Sequence, residues 1–352
     1  MNRNMIDSNI TLFRLLCDYC TRRGDPVQFE SHGRYVACDD DDKYHLKRTI
    51  INRVARFGRH RTLALLTLPD REQLIGATGF EVELDMPELD EFDASVGIQL
   101  ALLSEVGPQP IASTSTVRNI VEVDDMTNPS YEGHDFASVS GLFPVVRAWK
   151  TFNVADDDSI WQIFLMISVK ECQFGGSWID DRLAEELTAL AQLHVPSLPY
   201  RALCHSIFDL DPRSLFLALY RCIEATYAYE TCQRLVDHLS LDTDWQSLAQ
   251  ALALTASWRP SEASSLQLSL RYALDNDLED ICRVLKTDGG NDLRVRAGRA
   301  IYDLRNRIVH YRPWLDRTSI DDLDWDQICV SLVRIVLDVF HQAFTRDSVE
   351  LR

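Results

Sequence analysis

Two closely spaced prolines, Pro196 and Pro199, constrain the fold of this 352-residue chain more than any other feature. Proline lacks a backbone N–H and disfavours helical geometry in the residue before it, so no helix is expected to run through 195–199. Apolar β-rich segments punctuated by proline and glycine precede this stretch, and helical periodicity dominates after it. A chain of this length also exceeds one ordinary hydrophobic core. The sequence therefore predicts two domains, an α+β domain over 1–198 and an all-helical bundle over 199–352.

The predicted elements give the first domain more strands than helices. Apolar runs predict strands at 34–38, 62–68, 74–84, 95–104, 111–123, 142–154 and 159–169. Helical periodicity predicts helices at 9–22, 44–57 and 179–194. In the second domain, periodicity and capping residues predict helices at 213–239, 275–286 and 293–311, one from a cap at 242 or 244 to 258, one capped by Ser261, and a last one from 324 or 326 to 344. The fold class is therefore α+β, a mixed β-rich domain followed by an all-α bundle.

Composition indicates a soluble, cytoplasmic globular protein. Hydrophobic residues make up 46% of the chain and charged residues 26%, which is typical of that class. An apolar run of about 18 residues is missing, and the first residues do not resemble a signal peptide, so no membrane span is expected. The nine cysteines are odd in number and scattered, which favours reduced core thiols over disulfides. Cys17-x-x-Cys20 has zinc-like spacing without a second pair and is interpreted as structural.

The charge distribution singles out one basic segment in an acidic protein. The net charge of −18 argues against a protein that coats nucleic acid. Residues 1–199 hold 18 basic and 31 acidic side chains, whereas 283–317 hold nine basic and four acidic ones. A phosphate-bearing substrate would therefore be attracted to 283–317 and repelled elsewhere.

The basic segment contains a helix with two distinct faces. Spacings of four, three and four place one set of apolar residues on one face: Ala297, Ile301, Leu304 and Ile308. The same spacings place a polar set on the other face: Arg299, Asp303, Asn306 and His310. Such a helix is expected to pack by one face and to present the other.

Within this helix, Arg305-Asn306-x-x-x-His310 resembles the Arg-x4–6-His motif of HEPN domains. In that family a polar residue commonly follows the arginine, and the motif helix lies late in a helical bundle, as here. The segment 219–225 also resembles first-helix sequences of such domains. The resemblance covers 200–352, and the motif is its specific part. It implies an RNA-cutting domain of the kind found in toxins and in abortive-infection and anti-phage proteins.

The resemblance implies that Arg305 and His310 are catalytic, in metal-independent cleavage that needs no cofactor. Histidine titrates near neutral pH and is suited to take the proton from a ribose 2′-hydroxyl. Arginine stays charged and binds phosphate oxygens in a forked geometry. The implied products are a 2′,3′-cyclic phosphate and a 5′-hydroxyl, so DNA is not a substrate. Asn306 is expected to support the pair, and the candidate RNA contacts are Arg299, Arg307 and Arg312.

The spacing of the pair, taken together with the family resemblance, predicts a homodimer. Five residues separate Arg305 from His310, which places them ~140° apart around a straight helix. One regular helix therefore does not aim both side chains at one phosphate. The family resemblance implies a two-fold dimer, in which the motif helices of two chains share one cleft.

Three alternatives remain open from the sequence. The helical domain is either an active ribonuclease or an inactive HEPN-like module that binds protein or RNA. Pro69-Asp70 with Glu81-x-Glu83 resembles the PD-(D/E)xK nuclease pattern, although glutamate stands where that pattern has lysine, and this would make the first domain a metal-dependent nuclease. Otherwise residues 1–198, which resemble no family, are expected to sense a trigger or to restrain the nuclease through an unknown partner. Glu224 is expected to pair with an arginine.

Overall fold

A computed structural model describes residues 3–27, 33–122, 130–152, 154, 156–173, 177–195, 198–287, 292–310 and 320–349. It contains 58% helix and 11% strand, with an antiparallel sheet in its first part and a helical second part, so the fold is α+β as predicted. The chain divides into two compact units, Met1–Ile160 and Trp161–Arg352.

Among its described residues, the first unit combines five helices with five strands. The helices are α1 (Met5–Arg22), α2 (Asp40–Arg48), α3 (Val96–Val106), α4 (Thr114–Val121) and α5 (Phe136–Ser140). The strands are β1 (Ile50–Phe57), β2 (Arg61–Thr67), β3 (Gln73–Thr78), β4 (Leu89–Glu91) and β5 (Val146–Thr151). All pairings are antiparallel, and the strand order is β1-β2-β3-β5-β4. Helices hold more residues than strands here, so the predicted excess of strands is wrong.

Helix α3 lies at the centre of this unit. One side of α3 joins a core with α1 and α4 that includes Leu12, Phe13 and Leu100. Its other side packs through Ile98 and Leu102 on the sheet. Because α3 is covered on both sides, both of its sides are apolar. Its sequence therefore shows a continuous apolar run and not the alternation of apolar and polar faces that reveals a helix.

Helix α2 approaches α3 closely at Gly97. Asp39 and Asp42 form a reciprocal capping box at the start of α2, and Asp42 Oδ1 also accepts a hydrogen bond of 3.0 Å from the Gly97 N–H. A Cβ atom on Gly97 would lie 1.9 Å from the Asp42 carbonyl oxygen. Only glycine fits there, because the neighbouring atom belongs to the backbone.

Several predicted elements of the first 198 residues differ from the structure. The segments 95–104, 111–123 and 159–169, predicted as strands, lie mainly in helices α3, α4 and α6 (Asp157–Cys172). The predicted helix 44–57 ends at Arg48 and gives way to β1, and 34–38 forms a single bridge, from Val36 to His134, in place of a strand. The strands at 62–68, 74–84 and 142–154 are confirmed in shorter form as β2, β3 and β5.

In the second unit, the described residues form helices joined by turns and loops, without strands. Beyond α6, whose chain crosses the boundary between the units, its helices are α7 (Asp181–Ala191), α8 (Tyr200–Ile207), α9 (Pro212–Glu224), α10 (Tyr229–Leu239), α11 (Trp245–Ala256), α12 (Glu262–Ser269), α13 (Asp275–Val284), α14 (Leu293–Val309) and α15 (Trp325–Val349). The predicted helix 213–239 is two helices, α9 and α10, and α8 was not predicted. The remaining predicted helices of this half are present with shifted ends.

Helix α15 forms the centre of the helical unit and packs against α7, α9 and α13. Its segment Trp325–Phe344 is long and apolar enough to cross a membrane by length and composition, and most of it is buried inside the protein. That burial is the pattern of a core helix in a soluble domain.

The boundary between the units lies earlier than the predicted one at 198/199. Helix α7 belongs to the helical unit because it packs on α15. Arg334 of α15 pairs with Glu186 of α7 at 2.7 Å, and Arg182 Nη1 donates to Gln327 Oε1 at 3.0 Å. Of the predicted linker, Pro196 and Ser197 lie outside the described residues.

Candidate functional site

Helix α14 carries the predicted site and is fixed by one face, as expected. Asp292 caps its first turn by accepting hydrogen bonds from the N–H groups of Arg294 and Val295. Ala297, Ile301 and Leu304 are buried. The stripe ends in half-buried Ile308, and Arg299 and Asp303 on the opposite face are exposed. The helix is therefore anchored along its length, and its polar face is accessible.

Arg305 lies where α14 meets α9 and α12, among acidic and aromatic side chains. Its Nη2 is 4.0 Å from Glu224 Oε1 and 3.8 Å from Glu262 Oε1. Its Nη1 donates a hydrogen bond of 3.0 Å to Asn306 Oδ1, and its guanidinium lies 5.7 Å from the centre of the Tyr220 ring. The side chain is 21% exposed. These four neighbours, here called the Arg305 cluster, hold the guanidinium in one place.

The carboxylates of the Arg305 cluster are not equivalent. Burial raises the pKa of Glu224 above its ordinary value, and the nearby Glu262 raises it further, while Arg305 lowers it. Burial likewise raises the pKa of Tyr220, whose hydroxyl accepts a hydrogen bond of 3.1 Å from that of Tyr227. The predicted pairing of Glu224 with an arginine is present. Glu262 is not among the predicted site residues, and its part in the cluster has no signal in the sequence.

His310 lies just beyond the last residue of α14. Its backbone is extended, with φ −109° and ψ 102°, and its N–H donates to the Asn306 carbonyl oxygen at 2.9 Å. The residue is exposed. The helix ends at Val309 and not at residue 311, but His310 keeps the helical hydrogen bond to Asn306, so the ~140° offset from Arg305 around the axis stays a prediction.

Asn306 links the two predicted catalytic residues. Its side chain accepts from Arg305, and its carbonyl oxygen accepts from the His310 N–H. The sequence predicts that Asn306 supports the pair, and its side-chain oxygen contacts Arg305.

The candidate RNA-contact residues are dispersed. Arg299 is exposed on α14, and half-buried Arg307 lines a cleft of about 1040 Å³ between α13, α14 and the start of α15. That cleft also contains Arg283 and Lys286. Arg312 lies outside the described residues.

The other sequence motifs do not form a second site. Asp70 accepts a hydrogen bond from the Glu72 N–H within the turn between β2 and β3. Among the residues that the structure describes, no three His, Cys, Asp or Glu side chains group to hold a metal ion. All nine cysteines are free thiols, and Cys20 is buried beside the half-buried Cys17.

Comparisons with models of known protein families, with curated proteins and with solved structures find no match for this chain. The features known for this chain are therefore those of its own structure, an α+β fold whose helical unit contains the Arg305 cluster.

Proposed function

We propose that the helical unit is a metal-independent endoribonuclease of the HEPN type, with Arg305 and His310 as its catalytic pair. One observation carries the proposal: α14 ends at Val309, and Asn306 joins Arg305 through its side chain and His310 through its carbonyl oxygen. A fixed guanidinium and an exposed imidazole at the end of a basic helix are the two groups that the chemistry requires.

In the proposed reaction the His310 imidazole takes the proton of a ribose 2′-hydroxyl. The 2′ oxygen attacks the adjacent phosphorus, and the bond from phosphorus to the 5′ oxygen breaks. The 5′ oxygen takes up a proton from solvent, to which the His310 imidazolium returns the proton it took, leaving a 2′,3′-cyclic phosphate and a 5′-hydroxyl. Arg305 stabilises charge on the phosphate oxygens. Its distances to Glu224 and Glu262 exceed hydrogen-bond length, so Nη2 keeps protons for a phosphate.

The active form in this proposal is a two-fold homodimer through the helical unit. An isologous contact between two α14 helices would bring His310 and the partner subunit's His310 to one cleft. The variant His310→Cys tests this with a short bismaleimide crosslinker, which should join two chains through residue 310. The control His238→Cys, at an exposed position of α10, should not give this crosslink. A purely monomeric protein would contradict the dimer.

The cleavage assay uses the full chain, RNA and excess EDTA. We expect products with 2′,3′-cyclic phosphate ends, and no cutting of DNA of the same sequence, which lacks the attacking hydroxyl. His310→Ala and Arg305→Ala should each reduce the rate by about 100-fold or more. The matched controls His238→Ala and Arg259→Ala change exposed residues of the same unit and should retain activity. Activity that EDTA abolishes, or that survives His310→Ala, would remove the basis of the proposal.

A second function, a non-catalytic HEPN-like binding module, is favoured by the two carboxylates beside Arg305. Glu224 and Glu262 compete with a phosphate for the same guanidinium, as expected for a structural ion pair. RNA that binds the wild-type protein without being cut, together with a large loss of stability in Arg305→Ala, would favour this alternative.

The proposed biological setting is cytoplasmic toxin-type or anti-phage defence. An RNase of this kind harms its host, so the first unit is proposed to sense a trigger or restrain the enzyme. Expression in bacteria should arrest growth for the wild type and not for His310→Ala, and equal toxicity of both would contradict this setting.

A further inference from the structure

A basic cleft of about 780 Å³ lies in the first unit, at one end of the β1–β2 hairpin. The end of α2, the paired residues Ile50 and Thr67, and the turn after β2 form its walls. Four cationic side chains and one carboxylate line it: Arg3, Lys47, Arg48, Arg71 and Glu105. This concentration of positive charge stands out because residues 1–199 carry a large acidic excess.

Among the described residues, Arg3 is the one of these four cations that forms an ion pair. Arg3 forms an ion pair with Glu105, and its Nη1 donates to the carbonyl oxygens of Leu46 at 3.1 Å and Thr49 at 2.7 Å. Within the described part of the chain, no carboxylate pairs with the exposed Lys47, Arg48 or Arg71; Arg48 instead lies over the Tyr44 ring. Three positive charges are therefore available to one ligand.

A buried hydroxyl in the same cleft lacks a partner. Thr49 is 3% exposed, and its Oγ1 has no hydrogen-bond partner among the described residues. A buried hydroxyl in this state destabilises the free protein. Other buried side-chain atoms of the described residues are in the same state, and Thr49 is the one among them whose residue lines this cleft.

The backbone at Arg71 is also unusual. Arg71 has a φ of 73°, a left-handed conformation that costs energy for a residue with a Cβ. Its N–H donates to the Leu68 carbonyl oxygen at 2.9 Å, and the Leu68 N–H donates to the Glu72 carbonyl oxygen at 2.8 Å. This tight turn holds Arg71 at the edge of the cleft, and strained residues of this kind concentrate at binding sites.

We propose that this cleft binds a phosphate-bearing small molecule of about mononucleotide size. Arginine and lysine are the side chains that recognise phosphate oxygens, and the Thr49 hydroxyl adds a donor. The volume lies in the range of small-molecule sites, roughly 300–1000 Å³. A long nucleic acid is disfavoured because the acidic surroundings repel an extended polyanion. The proposal is independent of the ribonuclease activity.

Isothermal titration of the full chain with ATP and with inorganic pyrophosphate tests the site. We expect saturable binding that weakens about tenfold or more in Arg71→Glu and in the double variant Lys47→Glu/Arg48→Glu. The matched control is Arg59→Glu, an exposed reversal at the opposite end of the same hairpin, which should bind as the wild type does. Tighter binding of ATP than of pyrophosphate would identify a nucleotide, and equal binding a free polyphosphate.

Thr49→Val provides a readout that does not depend on charge. Removing a buried hydroxyl without a partner should leave the melting temperature of the free protein unchanged or higher, while weakening the binding of ATP or pyrophosphate. The proposal is overturned if neither probe binds, or if Arg59→Glu weakens binding as much as Arg71→Glu. Arg71→Gln, which removes the charge without reversing it, separates lost binding from misfolding when its circular dichroism matches the wild type.

Discussion

Replacing Arg305 with alanine should destabilise the helical unit by an amount that its neighbours define. The hydrogen bond to Asn306 contributes about 1 kcal/mol. The contact with the Tyr220 ring contributes about 0.5–1 kcal/mol. Each ion pair, at 3.8–4.0 Å and partly exposed, is worth only ~0.5 kcal/mol after solvent screening. The expected loss is therefore about 2–3 kcal/mol, or a fall of roughly 5–10 °C in the melting temperature.

Urea unfolding of a double-mutant cycle isolates the role of Glu224. Its pKa is raised mainly by burial, so the ionised carboxylate is already unfavourable, and Arg305→Ala leaves it beside Glu262 with only the weaker influence of Arg221 to compensate. Glu224→Gln in the Arg305→Ala background should recover about 1–2 kcal/mol. Arg299→Ala, an exposed change on the same helix, is the control and should stay within ~0.5 kcal/mol of the wild type.

Two results would refute this reasoning. One is an Arg305→Ala loss below about 0.5 kcal/mol, the level of an ordinary surface substitution. The other is no recovery by Glu224→Gln. The same double variant also separates a loss of stability from a loss of catalysis. If its stability is recovered and it still fails to cut RNA, the Arg305 guanidinium itself is needed for cleavage.

Three further predictions concern packing, capping and pH. Gly97→Ala should destabilise the first unit by about 3 kcal/mol, because its methyl group meets the Asp42 backbone; thermal unfolding that is unchanged would contradict the close contact. Asp39→Ala should cost about 1 kcal/mol through loss of the α2 cap, measured by urea unfolding, and a neutral effect would argue against the capping box. Burial raises the pKa of Asp277 despite Arg334 at 3.6 Å, so its contribution to stability is greatest below the ordinary aspartate pKa and is lost as pH rises. Asp277→Asn should therefore gain stability relative to the wild type as the pH rises above the ordinary aspartate pKa, and a difference that does not change with pH would count against the shift.

The sequence predicted the helical half far better than the sheet-containing half. Helices such as α14 are apolar on one face, so their period is visible. Helices α3 and α6 are covered on both sides, and their continuous apolar runs look like buried strands. Local capping signals were available, since Ser95 and Asp156 each accept a hydrogen bond from a backbone N–H three residues on.

The candidate site was predictable only along α14 itself. Spacing within one helix places Arg305, Asn306 and His310 near one another, whichever fold surrounds them. Glu262 and Tyr220 reach Arg305 from other helices, and no pattern in a single sequence encodes such distant contacts. The end of α14 was also missed: the sequence predicted helix to residue 311, whereas helical geometry stops at Val309.

The position of α15 in the chain has a consequence for synthesis. Helix α15 follows α7, α9 and α13 in the sequence and supplies the core on which all three pack. While the ribosome is still translating it, the earlier helices have no common surface to close around. Helix α14 packs on α13, α12 and α9, so the helices that support the proposed catalytic pair reach their final packing only when α15 closes the core around α9 and α13.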